Sequence, residues 1–117
     1  MGLVTSSDTL SARLVAASGT PSDAHAVYRG RDGADIAVMT FSNLPSLEAG
    51  QVYHVWARHQ DAWVSLGLVQ PDAHGSARLL LDGADVAVFP DALQVTREAA
   101  PGSATPGDAM VVGWPAP

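Results

Sequence analysis

A chain of 117 residues, 47% hydrophobic and 15% charged, is long enough for one buried core and too apolar to stay disordered. It has no cysteine, which excludes disulfide frameworks, Cys-ligated zinc, iron–sulfur clusters and thiol nucleophiles, and suits a reducing compartment and a staple-free exported domain equally. Its net charge is −6 with no lysine, and its arginines (Arg13, Arg29, Arg31, Arg58, Arg78, Arg97) are scattered, so the basic patch that nucleic acid or an anionic lipid surface demands is missing.

The chain opens on Met1-Gly2-Leu3-Val4 with neither a basic nor an apolar signal region, and no run approaches the ~20 apolar residues of a membrane span. Residues 1–9 read as a flexible tail or a remnant of cloning, with the native chain continuing upstream, and residues 10–117 as a single domain. Short apolar runs, many of them alternating, recur between turn signals at intervals of about ten residues. They predict eight strands: Leu10–Ala17, Ala24–Arg29, Asp35–Asn43, Gln51–His59, Ala62–Gln70, Ser76–Asp82, Ala92–Glu98 and Ala109–Trp114.

The connections follow from turn chemistry. Gly30-Arg31-Asp32-Gly33 offers two positions that accept positive φ and predicts a hairpin. Leu44 to Gly50 is a Pro/Gly-punctuated crossing. Gln51–His59 carries Val52 and Trp56 on one face and Tyr53, Val55 and Ala57 on the other, the pattern of a central strand. Gln60-Asp61 is a short hinge, and Pro71-Asp72-Ala73-His74-Gly75 a third hairpin. The stretch Leu81 to Val88 leaves room for a short helical turn before Phe89-Pro90, and Ala99 to Asp108 makes a second long crossing. The fold class is all-β: an antiparallel β-sandwich of immunoglobulin-like, Greek-key type with about eight strands.

Chemistry is sparse. His25, His54, His59 and His74 fit no ligand spacing, and His54 and His59, five apart on a strand, face opposite ways. Asp32 and Asp35, like Asp82 and Asp85, flank a glycine; calcium loops have such aspartates, and so do ordinary turns, where the carboxylate bonds the local backbone. There is no Gly-x-Ser-x-Gly elbow, phosphate loop, dinucleotide fingerprint or zinc-binding helix, so the chain reads as non-catalytic, without metal or cofactor. Tyr53 and Trp56, in the most hydrophobic strand, belong to a core. Two rival readings have their own signs: Trp63, Trp114 and Tyr28 exposed together would mark a carbohydrate- or ligand-binding module, and His54 or His59 beside Asp61, Asp72 or Glu98 a small hydrolase.

Four pieces stand in a fixed order. Leu44-Pro45 is followed by Leu47-Glu48-Ala49-Gly50, then by Val52-Tyr53-His54-Val55-Trp56. Ser65-Leu66-Gly67-Leu68 leads to Pro71-Asp72-Ala73-His74-Gly75-Ser76-Ala77. Val95-Thr96-Arg97-Glu98 runs through Pro101-Gly102-Ser103 and Thr105-Pro106-Gly107 to Val111-Val112-Gly113. In this order and spacing, Asn43 to Gly113 resembles the extracytoplasmic C-terminal domain of anti-sigma-K factors, departing from it at Ala99, where proline is usual, and at Gly102, a single glycine in place of a pair. The resemblance marks Leu44, Pro45, Gly50, Tyr53, Trp56, Gly67, Gly75, Thr96, Glu98 and Gly113 as fold determinants. Tyr53 and Trp56 would fill the space between sheets, Leu44-Pro45 and Gly50 would turn the corner, and Thr96 and Glu98 would face away from Val95 and Arg97. It further implies a membrane-tethered protein in which a cytoplasmic domain, absent from this chain, holds an extracytoplasmic-function sigma factor, and a single membrane helix leads to this domain outside. There the domain would meet a signal or protein partner and shield the juxtamembrane segment from regulated proteolysis.

Overall fold

Alternation of buried and more open side chains, the mark of strands packed on one face, runs through residues 11–14, 25–30 and 36–42. The computed structural model describes residues 9–17, 23–31, 33, 35–83, 86–99 and 110–115. They form eight strands: β1 (Thr9–Ala16), β2 (His25–Arg31), β3 (Ile36–Ser42), β4 (Gln51–His59), β5 (Ala62–Val69), β6 (Ala77–Asp82), β7 (Ala92–Ala99) and β8 (Met110–Trp114). Each coincides with a predicted strand to within two residues at either end.

All pairings are antiparallel, and the strands lie in the order β5-β4-β7-β8-β1-β2-β3-β6. The sheet curls so that its two end strands, β5 and β6, approach without a hydrogen bond between them; the result is one nearly closed, barrel-like sheet. The expected division into two packed sheets is not drawn by this ladder. The reason lies in β1, which pairs with β8 through Val15↔Gly113 and Ala16↔Val112. That short stitch joins two four-stranded halves, β5-β4-β7-β8 and β1-β2-β3-β6, into one sheet.

The inward face carries Leu14, Tyr28, Met39, Phe41, Tyr53, Val55, Leu93, Val95 and Val112, all buried, and burial of such large side chains contributes about 1.5–3 kcal/mol each. β4 lies between β5 and β7, and Val52 to Ala57 is buried without a break, as its two-sided apolar pattern predicts.

The turns differ in detail from expectation. Gly33 takes φ +85°, whereas Gly30 lies inside β2, where a Cβ would come within 3.2 Å of the Tyr28 ring; its smallness makes room for that ring instead of bending the chain. Asp32 lies outside the described residues. His59↔Ala62 pairing leaves Gln60-Asp61 as a two-residue hairpin, with Gln60 at φ +60° and its N–H donating to Asp91 Oδ2 at 2.8 Å. Val86 N–H donates to Gly83 O at 3.2 Å, a single turn within the ambiguous segment. The second long crossing, from residue 100 to 109, lies outside the described residues.

Candidate functional site

The family-like residues fall into separate places. One group gathers at an end of the barrel. Leu44 N–H donates to Gly75 O at 3.0 Å, and Tyr53, inside the core, sends its hydroxyl to Pro45 O at 2.6 Å. Gly75 has φ +78°, and a Cβ there would lie 2.5 Å from Leu44 O, so the two loops touch backbone to backbone only because residue 75 is glycine. Asp72 holds the same hairpin: its Oδ1 accepts from His74 N–H at 2.8 Å and Ser76 N–H at 3.0 Å, and those donors, Ser76 first, hold its carboxyl below the usual range. Gly50, at φ +81°, turns the chain into β4. Between the loops lies an open recess of about 460 Å³ bordered by Pro45, Leu47, Glu48, Gln70 and Asp72. Burial raises the Tyr53 phenol, against the pull of the Arg97 guanidinium beside it.

A second group sits on the opposite face of β4. Tyr53 and Trp56 are three residues apart, and period-two alternation sends them to different sides. The expectation that both fill one space is therefore corrected: Tyr53 joins the core, while Trp56, fully buried, lies outside it. Trp56 Nε1 donates to Thr96 Oγ1 at 2.9 Å, and Thr96 Oγ1 donates to Glu98 Oε2 at 2.6 Å. His54 stacks on Trp56 with ring centroids 3.9 Å apart, and its Nε2 lies 2.5 Å from Ser65 Oγ. Burial pushes the imidazole below its ordinary pKa, and the charge of Glu98 opposes the shift. Thr96 thus faces away from Val95, as expected, yet it is wholly buried.

Ser65 stands on this face because it pairs with Trp56, in the register that the His59↔Ala62 hairpin sets, and cross-strand partners share a face; a β-bulge follows it. Val55 pairs with Gly67 but Trp56 with Ser65, leaving Leu66 as the extra residue. Leu66 packs on the core and Ser65 meets His54, and beyond the bulge the parity of β5 is reversed, so that Gly67 stands opposite Val55 and Val69 opposite Tyr53. The sequence reading missed Ser65, although the Gln60-Asp61 hairpin already sets it opposite Trp56; the bulge had its local signal in Gly67, a glycine inside a strand, which takes φ +147°. Gly113, in β8, packs under Met110, whose Sδ would be 3.0 Å from a Cβ.

The rival constellations come together only in part. His54, Ser65 and Glu98 share a face, and one of the two links of a Ser-His-acid set is made, His54 to Ser65. The remaining link is not made: Glu98 takes the Thr96 hydroxyl, and His54 Nδ1 is buried without a hydrogen-bond partner, whereas a working triad needs the acid on that nitrogen. The three-ring surface is not formed either. Tyr28 is 1% exposed, its phenol raised to about 12 by burial, and it packs edge-on against Phe89, which packs in turn against Trp114. Trp63 stands apart, with the Arg58 guanidinium 5.9 Å over its ring. Elsewhere His25 Nδ1 bonds Asp23 O at 2.9 Å. Among the described residues, no three His, Asp or Glu side chains converge as metal ligands, and no helix is long and apolar enough to cross a membrane.

Against models of protein families, residues 4–111 match the one described as anti-sigma-K factor rskA, C-terminal. No curated protein and no solved structure matches the chain.

Proposed function

The chain belongs to the anti-sigma-K factor C-terminal domain family, and from that membership we propose that it is the extracytoplasmic regulatory domain of a membrane-tethered anti-sigma factor, acting without catalysis. The observation that carries this reading is the extent of the family match, residues 4–111, which takes in seven of the eight strands whole and the start of the eighth. The site geometry agrees in kind. The residues that resemble the family close loops on one another and hold buried polar groups, work that sets the stability of a fold, and fold alone assigns no function.

In this reading a separate cytoplasmic domain holds an extracytoplasmic-function sigma factor, one membrane helix connects the two, and the barrel outside controls access of a protease to the juxtamembrane segment. A signal shifts the domain only through its differential affinity for two states. The test is a replacement. Exchanging this domain, within the full-length protein, for an unrelated stable β domain should make a sigma-dependent reporter constant with respect to stress. Unchanged, stress-responsive output would remove the sensing role.

A further inference from the structure

Dispersed along the sequence, three of the six arginines come together once the chain folds. In the half of the barrel made by β1, β2, β3 and β6, Ala12, Ala26, Met39 and Leu81 turn to the core, so the residues beside them on each strand turn outward. The pairing register lines these up across the four strands. One outward row runs Arg13, Val27, Thr40, Arg78, and the next Ser11, Arg29, Val38, Leu80. Arg13 and Arg78 end the first row, three strand spacings or about 14 Å apart, and Arg29 sits diagonally beside Arg13 at about 7–8 Å. All three are exposed, and among the described residues none carries an ion pair. Asp82 is the one carboxylate on this face among the described residues.

The same face bears bare aliphatic side chains. Leu80 is 71% and Ile36 59% open to solvent, and Ile36 stands opposite Asp82, one row beyond Leu80. Val88, 62% open, lies at that end of the barrel, where Gly33 N–H donates to Ala87 O at 2.8 Å. Position adds to chemistry. β1 enters the sheet at Thr9, opposite Arg31 at the end of β2, and this is the barrel end that holds Ile36 and Asp82, so the chain ahead of β1 arrives beside this face. We propose that the outward face of β1-β2-β3-β6 docks on an anionic lipid bilayer, with the arginines among headgroup phosphates and Leu80 and Ile36 dipping to the upper acyl carbons. The choice of a bilayer rests on the anti-sigma reading, which puts a membrane helix ahead of Thr9.

The net charge of −6 does not forbid this. At physiological salt charges act over about 8 Å, whereas the smallest extent of the molecule is 23 Å, so carboxylates on the far side are screened from a surface that this face touches. Each arginine near such a surface contributes about fivefold in affinity. Three are too few to hold a free domain firmly, so the contact is weak and complements a tether, which supplies the effective concentration. Docked, the barrel would lie over the juxtamembrane segment; released, it would uncover it.

Co-sedimentation of the 117-residue chain with lipid vesicles tests it. In about 0.1 M salt the wild type should pellet increasingly as phosphatidylglycerol replaces phosphatidylcholine, and it should be released in about 1 M salt, where screening shortens to about 3 Å. Arg13→Glu, Arg29→Glu and Arg78→Glu should each weaken binding about tenfold or more, Leu80→Ser should weaken it several-fold, and Asp82→Asn should strengthen it about fivefold. Arg58→Glu makes the same change of charge on the other half of the barrel and should bind like wild type. All these positions are exposed, so thermal midpoints should barely move, and circular dichroism checks this. A wild type that stays in solution at every lipid composition overturns the proposal and leaves the face to an acidic protein. A loss in Arg58→Glu equal to that in Arg29→Glu overturns it too, because net charge would then be the cause, as does binding that survives the three reversals together. None of these outcomes bears on whether replacing the domain alters the sigma-dependent reporter, so the two readings fail separately.

Discussion

Trp56 Nε1 and Thr96 Oγ1 meet at 2.9 Å across forty positions of sequence, both fully buried and both outside the main core. The hydroxyl has one proton, and it goes to Glu98; the indole N–H therefore has the lone pairs of Thr96 to bond. Replacing Thr96 by valine keeps the shape and removes acceptor and donor together. Leaving the indole N–H buried and unpaired costs about 1–3 kcal/mol, and loss of the charge-assisted bond to Glu98 adds to it. Thr96→Val should lower the unfolding free energy by about 2–4 kcal/mol, while Thr96→Ser should cost about 1 kcal/mol or less. Urea titration followed by tryptophan fluorescence reads both. Equal stability of the two variants would show that the hydroxyl is not what matters.

Gly75 and Gly50 make a matched pair for the barrel end. Both have φ near +80°, so alanine at either position incurs the left-handed backbone penalty of about 1–2 kcal/mol. They differ in their surroundings. Nothing lies within 4 Å of a Cβ at Gly50, whereas at Gly75 it would meet Leu44 O at 2.5 Å and Leu44 N at 2.7 Å, forcing apart the loops that the Leu44–Gly75 hydrogen bond joins. Gly75→Ala should therefore cost about 3 kcal/mol or more and Gly50→Ala about half of that. Similar losses in thermal unfolding would mean that the loops move apart freely.

These two cases show what local pattern can and cannot reveal. Strand extents and the central place of β4 were legible because alternation and turn residues are properties of neighbours along the chain. The single ladder was not, since the β1–β8 stitch rests on two residue pairs whose partners are nearly a hundred positions apart. Trp56 was placed in the core on hydrophobicity, although its spacing from Tyr53 already put it on the other face. Ser65 was within reach, since counting from the Gln60-Asp61 hairpin sets it opposite Trp56; what the local pattern did not reveal is the bulge at Leu66, which puts Gly67 opposite Val55.

His54 gives the domain a pH dependence whose sign follows from its burial. The imidazole is 4% exposed, with Nδ1 unpaired, and desolvation lowers its pKa in the folded state despite the charge of Glu98. In the unfolded chain it titrates near the ordinary value of about 6.5. Between those two values the unfolded state binds more protons, so stability rises with pH there. The contribution is complete above about pH 6.5, is lost as pH falls towards the lower folded pKa, and levels off once both states are protonated. His54→Phe keeps a ring against Trp56 and removes the proton, so the stability difference between wild type and variant should shrink or reverse in sign as pH falls from about 8 to 5. Urea titrations of both proteins across that range test this. Curves that stay parallel would show that His54 takes up no extra proton on unfolding, and the acid sensitivity of the barrel would have to come from its carboxylates.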